Sequence, residues 1–260
     1  MNTKWITNKR DQSFLIDAED TYMERCLLNK GYQIQNWDFV KSLVPKGGLA
    51  IDIGASIGMN AVNYAEYFDS VESFEPDPDV YKCLLETITA NGCDNVNTHP
   101  VALSNQNGTN ILVKFPRATF ANTLIPIGYK GKSRPQLEIQ THKLDDYKFD
   151  GVNFIKIDVE GNEMAVLEGA EQTILTYTPV IQIEVKPQML KRQLTKPSDL
   201  WNWLIAKGYT PKHFAGNVSN PKFTDSGKFT ANSKYGIEYK IEFDNIKKNL
   251  VDFWFIKETA

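Results

Sequence analysis

The sequence predicts an α/β fold, a Rossmann-like domain in which a mostly parallel central sheet carries helices on both faces. Three observations predict it. Short apolar runs alternate along the chain with stretches whose apolar residues keep the 3.6-residue period of a helix. The first run, Leu49 to Ile53, passes through a glycine turn directly into such a stripe, Ile57, Ala61, Ala65 and Phe68. The clearest strand, Val152 to Val159, is likewise followed by a helical stripe, Met164, Leu167, Ala170 and Ile174.

The other elements follow in order. Residues 1 to about 35 are mixed and polar, with a short amphipathic stretch from Asp20 to Leu28. Trp37, Val40 and Val44 sit at helical spacing, and Pro45 with Gly47 and Gly48 stops that helix. Val71 to Phe74 is a second strand, broken by Glu75-Pro76-Asp77-Pro78 before a helix carrying Val80, Leu84 and Ile88 on one face. Val96 to Leu103 reads as the third strand, and Ile111 to Phe115 and Leu137 to Thr141 as two β pieces around a loop. Pro179 to Val185 is a strand, Leu200 to Ala206 a helix stopped by Gly208, and Val251 to Ile256 the last strand.

A chain of 260 residues fits one large α/β domain. The expected division is an N-terminal cap or pre-domain segment, residues 1–48, and a main domain, residues 49–260, with insertions at about 114–136 and 209–240. Hydrophobic residues make up 42% and charged residues 23%, which excludes disordered and fibrous classes. Twenty-nine Lys and Arg against 32 Asp and Glu give a net charge of −3, so no global positive field draws the surface to nucleic acid or anionic lipid. Cys26, Cys83 and Cys93 form no C-x-x-C pair, and three scattered histidines do not suit a zinc site. The N-terminus lacks the pattern of a signal peptide and no apolar run approaches the ~20 residues of a membrane helix, so the expected location is cytoplasmic.

The turn Asp52-Ile53-Gly54-Ala55-Ser56-Ile57-Gly58 lies between strand and helix, where glycine permits close backbone approach and a helix start offers free N–H groups. Its glycines are spaced G-x-x-x-G rather than the G-x-G-x-x-G that seats a dinucleotide pyrophosphate, which disfavours NAD. The amino-acid end of S-adenosylmethionine carries a carboxylate and an ammonium, which suit backbone donors beside Asp52. Glu75 ends the second strand 21 residues after Gly54, where a carboxylate can accept both ribose hydroxyls. The expected cofactor-binding residues are Asp52, Gly54, Ala55, Ser56, Gly58, Asn60, Glu75, Pro76 and Ala102, the last beside the adenine.

With these residues in hand, the chain resembles the FkbM family of methyltransferases. The resemblance runs through Asp52 to Gly58, Phe74-Glu75-Pro76-Asp77-Pro78, Val101-Ala102-Leu103-Ser104 and Leu144-Asp145-Asp146. Its most specific part is Phe154-Ile155-Lys156-Ile157-Asp158-Val159-Glu160-Gly161 with Glu163 and Val166 to Ala170. It covers about residues 49 to 185. The resemblance implies a Rossmann-like class I methyltransferase fold and methyl transfer from S-adenosylmethionine to a hydroxyl of a small molecule, sugar or glycan.

The expected catalytic residues are Asp158, Glu160 and Lys156, which strand alternation places on one side beyond the carboxyl edge of the sheet. Methyl transfer needs an aligned acceptor oxygen that loses its proton, and Asp158 is the candidate base. Glu160 orients it or shares its proton, and Lys156 pairs with one of the two carboxylates. A magnesium-assisted route is the less favoured reading, because the next strand ends in Glu184-Val185-Lys186-Pro187-Gln188 without an Asp-Asn pair; Asp158 and Glu184 are its first ligands if it operates. His142 is an alternative base.

Residues 114–136 hold Lys114, Arg117, Lys130, Lys132 and Arg134 without an acidic residue, interleaved with Phe115, Phe120 and Tyr129. This segment suits an acceptor clamp, including an anionic one, or a lid, and equally a plain surface loop. Five charges are a modest footprint for nucleic acid. Two rival readings differ in class: a non-catalytic subunit that binds the cofactor, and an NAD-dependent oxidoreductase.

Overall fold

The computed structural model describes residues 1–28, 34–116, 118–124, 134–190, 195–212, 219–223, 228–232, 238–242 and 251–257. Its centre is a seven-stranded sheet whose strands we number β1 (Leu49–Ile53), β2 (Ser70–Phe74), β3 (Val96–His99), β4 (Val152–Ile157), β5 (Val180–Val185), β6 (Thr210–Lys212) and β7 (Val251–Ile256). The spatial order is β6-β7-β5-β4-β1-β2-β3. Strands β1 to β5 run parallel, and β7 is inserted antiparallel between β5 and β6. The strand order reverses at β1 and β4, the switch point where open α/β sheets leave a crevice at their carboxyl edge.

The central strands bury side chains on both faces, as parallel strands covered by helices must. On one face Ile51, Ile53, Ile155, Ile157, Ile181 and Ile183 pack against Val166, Leu167 and Ile174 of the helices Glu163–Gly169 and Glu171–Tyr177, and against Trp201 and Leu204 of the helix Pro197–Ala206. On the other, Ala50, Val71, Phe154 and Trp254 meet Trp37, Val40, Tyr64 and Phe68. Trp37 and Val40 belong to the helix Ile34–Leu43, and Tyr64 to the helix Met59–Ala65 that follows β1.

The N-terminal residues form an antiparallel hairpin, Thr3–Thr7 with Ser13–Asp17, and a helix, Thr21–Leu28. Phe14, Leu15, Ile16, Met23 and Leu27 share one core with Ala61 and Val62 and with Val80, Leu84 and Ile88 of the helix Pro78–Ala90.

The third strand is shorter than the sequence suggests. It ends at His99, and Ala102–Leu103 turns away to pair in parallel with Thr141 and His142 in a small side sheet. That sheet is completed by Gly108–Val113 and Gln136–His142, antiparallel to each other. Ser219–Phe223, Lys228–Asn232 and Glu238–Glu242 form a separate three-stranded antiparallel sheet, so the segment expected as one insertion at 209–240 begins with β6, a strand of the main sheet. Arg117, Tyr129, Lys130 and Lys132 lie outside the described residues, as does the side chain of Phe120.

Candidate active site

Sheet register sets the site. Gln182, Lys156, Asp52 and Ser73 lie side by side across β5, β4, β1 and β2. One step beyond the last full row, the chain presents Asp158 next to Gly54, with Glu75 beyond Phe74. Asp158 N–H still donates to the Ile53 carbonyl at 3.0 Å, which extends the ladder by one residue. A cleft of about 920 Å³, open mouth included, lies over this edge. It is lined by Gly54, Ala55, Ser56, Asn60, Glu75, Pro76, Ala102, Lys156, Asp158 and Glu160, ten of the predicted residues. Asp52 and Gly58 are not among the lining residues: Asp52 is wholly buried and Gly58 packs on Leu84.

Glu75 is fixed by the turn it faces. Its Oε2 accepts from Ser56 N–H at 3.0 Å and its Oε1 from Asp77 N–H at 2.9 Å. Each oxygen keeps acceptor capacity toward the cleft. Burial pushes its carboxyl up to about 7, against the pull of the Asp77 and Ser56 N–H groups.

Four N–H groups of the turn are committed: Gly54 and Ala55 donate to the Phe74 carbonyl at 3.0 and 2.9 Å, Ser56 to Glu75, and Gly58 to the Ala55 carbonyl at 2.9 Å. These bonds shape the cleft, and the helix Met59–Ala65 starts directly after them. Ser56 holds this shape with a left-handed φ of 52°.

Beneath the floor, Asp52 Oδ1 lies 3.7 Å from Lys156 Nζ, and Lys156 Nζ donates to Asp158 Oδ2 at 3.3 Å. Among the described residues neither Asp52 oxygen has a hydrogen-bond partner. Burial pushes the Asp52 carboxyl up, and Lys156 opposes the shift. At Asp158 burial also pushes upward, but Lys156 and Lys186 together outweigh it and hold this carboxyl below its ordinary range. Asp158 is therefore ionised at neutral pH.

Glu160 reaches the same corner by a different route from the one the sequence suggests. Strand β4 ends at Ile157, and Glu160 adopts a left-handed φ of 57° in the turn that follows. Its carbonyl accepts from Thr123 Oγ1 at 2.8 Å, and its carboxylate pairs with Lys186. Lys186 Nζ also lies 2.5 Å from Glu184 Oε2. Burial, followed by the charge of Asp158, raises the Glu184 carboxyl well above the ordinary value. Asp158, Glu160 and Glu184 present ligand atoms within 4.8 Å of one another.

Lys186 and Glu163 were absent from the predicted set. Two-residue alternation from Glu184 beyond β5 is the signal that could have found Lys186. Glu163 is buried, its Oε1 accepts from Gly161 N–H at 2.9 Å, and burial raises its carboxyl to about 7. His142 bonds Tyr147 at 2.9 Å and does not line the cleft.

The cleft is roofed by Met23 and by Thr119, Asn122, Thr123 and Leu124. Asp20 Oδ1 caps the helix by accepting from Met23 N–H at 2.9 Å, while its Oδ2 accepts from Thr119 N–H and Oγ1 at 3.3 Å each. Lys114 Nζ is engaged by Asp77 at 2.9 Å and Asp79 at 2.7 Å, and Arg134 lies over the Phe115 ring at 3.9 Å. Lys114 therefore latches the roof instead of standing ready for an anionic acceptor.

Strand order, the turn after β1 and the acidic end of β2 together define a class I methyltransferase fold. The chain belongs to the FkbM methyltransferase domain family, whose description, "Methyltransferase FkbM domain", matches residues 52–211. It is 22% identical to Methyltransferase 1 of Beauveria bassiana over 149 residues, 49% of this chain and 60% of that protein. It is 25% identical to Methyltransferase sdnD of Sordaria araneosa over 190 residues, 60% of this chain and 70% of that protein. The crystal structure of methyltransferase FkbM from Methylobacillus flagellatus KT superposes with a TM-score of 0.51 at 17% identity, covering 85% of this chain and 47% of that one. The chain thus spans only about half to two thirds of the length of several proteins it resembles.

Proposed function

We propose that the chain binds S-adenosylmethionine in the cleft and transfers its methyl group to a hydroxyl of a small-molecule, sugar or glycan acceptor. The observation that carries this reading is Glu75, a buried carboxylate pinned across from the Gly54 turn with acceptor capacity left on both oxygens. Two vicinal ribose hydroxyls match it. The buried Asp52 carboxylate, which has no hydrogen-bond partner among the described residues and lies 3.7 Å from Lys156, fits the ammonium of the amino-acid end through water or by its charge beneath the cleft. Ala102 and Leu103, with Phe74 and Pro76, offer the apolar walls an adenine ring needs.

When bound, the cofactor supplies an electrophilic methyl group on a sulfonium. The chain's own residues then hold the acceptor. Asp158, ionised and facing the cleft, accepts a hydrogen bond from the hydroxyl and aims its oxygen. Because two lysines stabilise that carboxylate, it is a weak base; it orients first and takes the proton as the oxygen becomes positively charged during attack. Met23 and residues 119–124 exclude water from above. Cys26, Cys83 and Cys93 are not joined in disulfides, which suits a reducing, cytoplasmic setting, and among the described residues no helix is long and apolar enough to cross a membrane.

Calorimetric titration with S-adenosylhomocysteine and with NADH tests the cofactor assignment, with binding expected for the first alone. Incubation with methyl-labelled cofactor and a panel of hydroxyl-bearing sugars and natural products tests transfer. Tight cofactor binding with no label passed to any member of such panels, while amine or carbon acceptors become labelled, would overturn the choice of a hydroxyl.

A further inference from the structure

Beyond the cofactor pocket, the carboxyl edges of β4 and β5 bring three acidic side chains and two lysines into a single corner, Lys156 beside Asp158 and Lys186 beside Glu160 and Glu184. The carboxylates are Asp158, Glu160 and Glu184, with ligand atoms within 4.8 Å of one another. That spacing is what oxygen ligands around a divalent ion adopt, since each sits about 2.0–2.6 Å from the metal. In this chain the space between Glu160 and Glu184 already holds a cation. Lys186 Nζ pairs with Glu160, lies 2.5 Å from Glu184 Oε2 and acts on the Asp158 charge.

Both sides of the arrangement are fixed by backbone contacts. The Lys186 carbonyl accepts from Met189 N–H at 2.9 Å and Leu190 N–H at 3.1 Å, so the residue is anchored at the start of the turn after β5. Glu160 is held in its left-handed conformation while Thr123 bonds its carbonyl at 2.8 Å. An ammonium so placed supplies one positive charge and three N–H donors, the same electrostatic service a metal gives to clustered carboxylates, without dependence on an ion from solution.

We propose that Lys186 is a positioning residue that fills the place of a divalent metal ion, holding Glu160 and Glu184 in the arrangement that leaves Asp158 facing the acceptor. The acceptor part of this proposal rests on the reading of Asp158 given above. The cation part stands on geometry alone.

Manganese binding to the purified full chain, followed by the loss of free-ion electron paramagnetic resonance signal, tests it without any acceptor. The wild type is expected to bind no stoichiometric manganese. Lys186→Ala, which leaves three carboxylates around an emptied space, is expected to bind one equivalent at least tenfold more tightly than the wild type. Adding Glu184→Gln to that variant should abolish the gain, and Lys186→Arg, which keeps the cation, should behave as the wild type. Lys186→Gln serves the same purpose should the alanine variant not fold. Stoichiometric manganese binding by the wild type, or no gain on removing the lysine charge, overturns the proposal. A parallel titration with S-adenosylhomocysteine separates this result from the functional reading: absence of cofactor binding would sink that reading and leave the manganese outcome intact.

Discussion

Gly54 lies so close to the backbone of Asp158 that a Cβ at position 54 would come within 1.9 Å of the Asp158 carbonyl oxygen. Gly54 also holds a φ of 80°, a region L side chains rarely adopt. The Gly54 turn and the Asp158 backbone are thus set against each other by the absence of a single carbon atom.

Gly54→Ala should therefore destabilise the fold by about 3 kcal/mol or more, combining backbone strain with a backbone clash that no side-chain rotation relieves. Urea denaturation followed by circular dichroism measures it. A loss below 1 kcal/mol would mean that the ends of β1 and β4 are not held at this distance.

Glu75 predicts both the size and the pH dependence of cofactor affinity. Removing its carboxylate in Glu75→Ala should weaken S-adenosylhomocysteine binding by about 1.5–3 kcal/mol for each charge-assisted hydrogen bond lost. With its carboxyl raised to about 7, the group is partly protonated at neutral pH and must ionise to accept both hydroxyls fully. Affinity should rise as pH increases from 6 to 8, with protons released on binding. Titrations in buffers of different ionisation enthalpy detect that release, and Glu75→Gln should flatten it; a pH slope unchanged in the variant would remove Glu75 from the assignment.

Glu163 makes a stability prediction of definite sign. Its carboxyl is raised by burial to about 7 from an ordinary 4.5, so the folded chain binds this proton more tightly than the unfolded one. Its contribution is most favourable below the unfolded value and declines as pH rises through the folded value. Glu163→Gln, which can still accept from Gly161 N–H, should gain roughly 1–3 kcal/mol relative to the wild type between pH 5 and pH 8. Parallel denaturation curves for the two proteins across that range would contradict it.

Asp158→Asn separates orientation from binding. The amide keeps the shape but loses the charge, so cofactor affinity should stay within a few-fold while methyl transfer falls by about 10²- to 10⁴-fold once an acceptor is known. Near-normal turnover would transfer the role to Glu160 or to His142.

Asp20 joins the N-terminal helix to the roof through Met23 and Thr119. Asp20→Ala removes a helix cap, costing about 0.5–2 kcal/mol, and releases residues 119–124. Hydrogen exchange at those amides should accelerate, and S-adenosylhomocysteine should dissociate faster. Unchanged exchange there would show that Asp77, which accepts from Lys114 and Asn122, holds the roof without help.

The strand and helix alternation from Leu49 to Val185 was legible because each element carries its own period and its own glycine or proline stop. The turn at Gly54 and the carboxylate at Glu75 were legible for the same local reason. The third strand reads as longer because Val101-Ala102-Leu103 has the apolar character of a strand in either sheet, and its partner, Thr141–His142, lies 39 residues further on. Strand alternation grouped Lys156 with Asp158 correctly, but could not foresee that Glu160 leaves the strand in a left-handed turn. The role of Lys186 is not legible in the sequence, because it depends on β5 lying beside β4, a long-range pairing that no local pattern encodes.

The N-terminal hairpin packs Phe14, Leu15 and Ile16 into the same core as Val80, Leu84 and Ile88. A chain trimmed to begin at Leu49 would therefore not be a smaller enzyme but a broken one, with an oily groove along the helix Pro78–Ala90 open to water and prone to self-association. Size-exclusion chromatography of such a truncation should find aggregates rather than a monomer. Sequence divergence in this segment is accordingly expected to spare its inward-facing positions, Phe14, Ile16, Met23 and Leu27, more than the exposed Trp5.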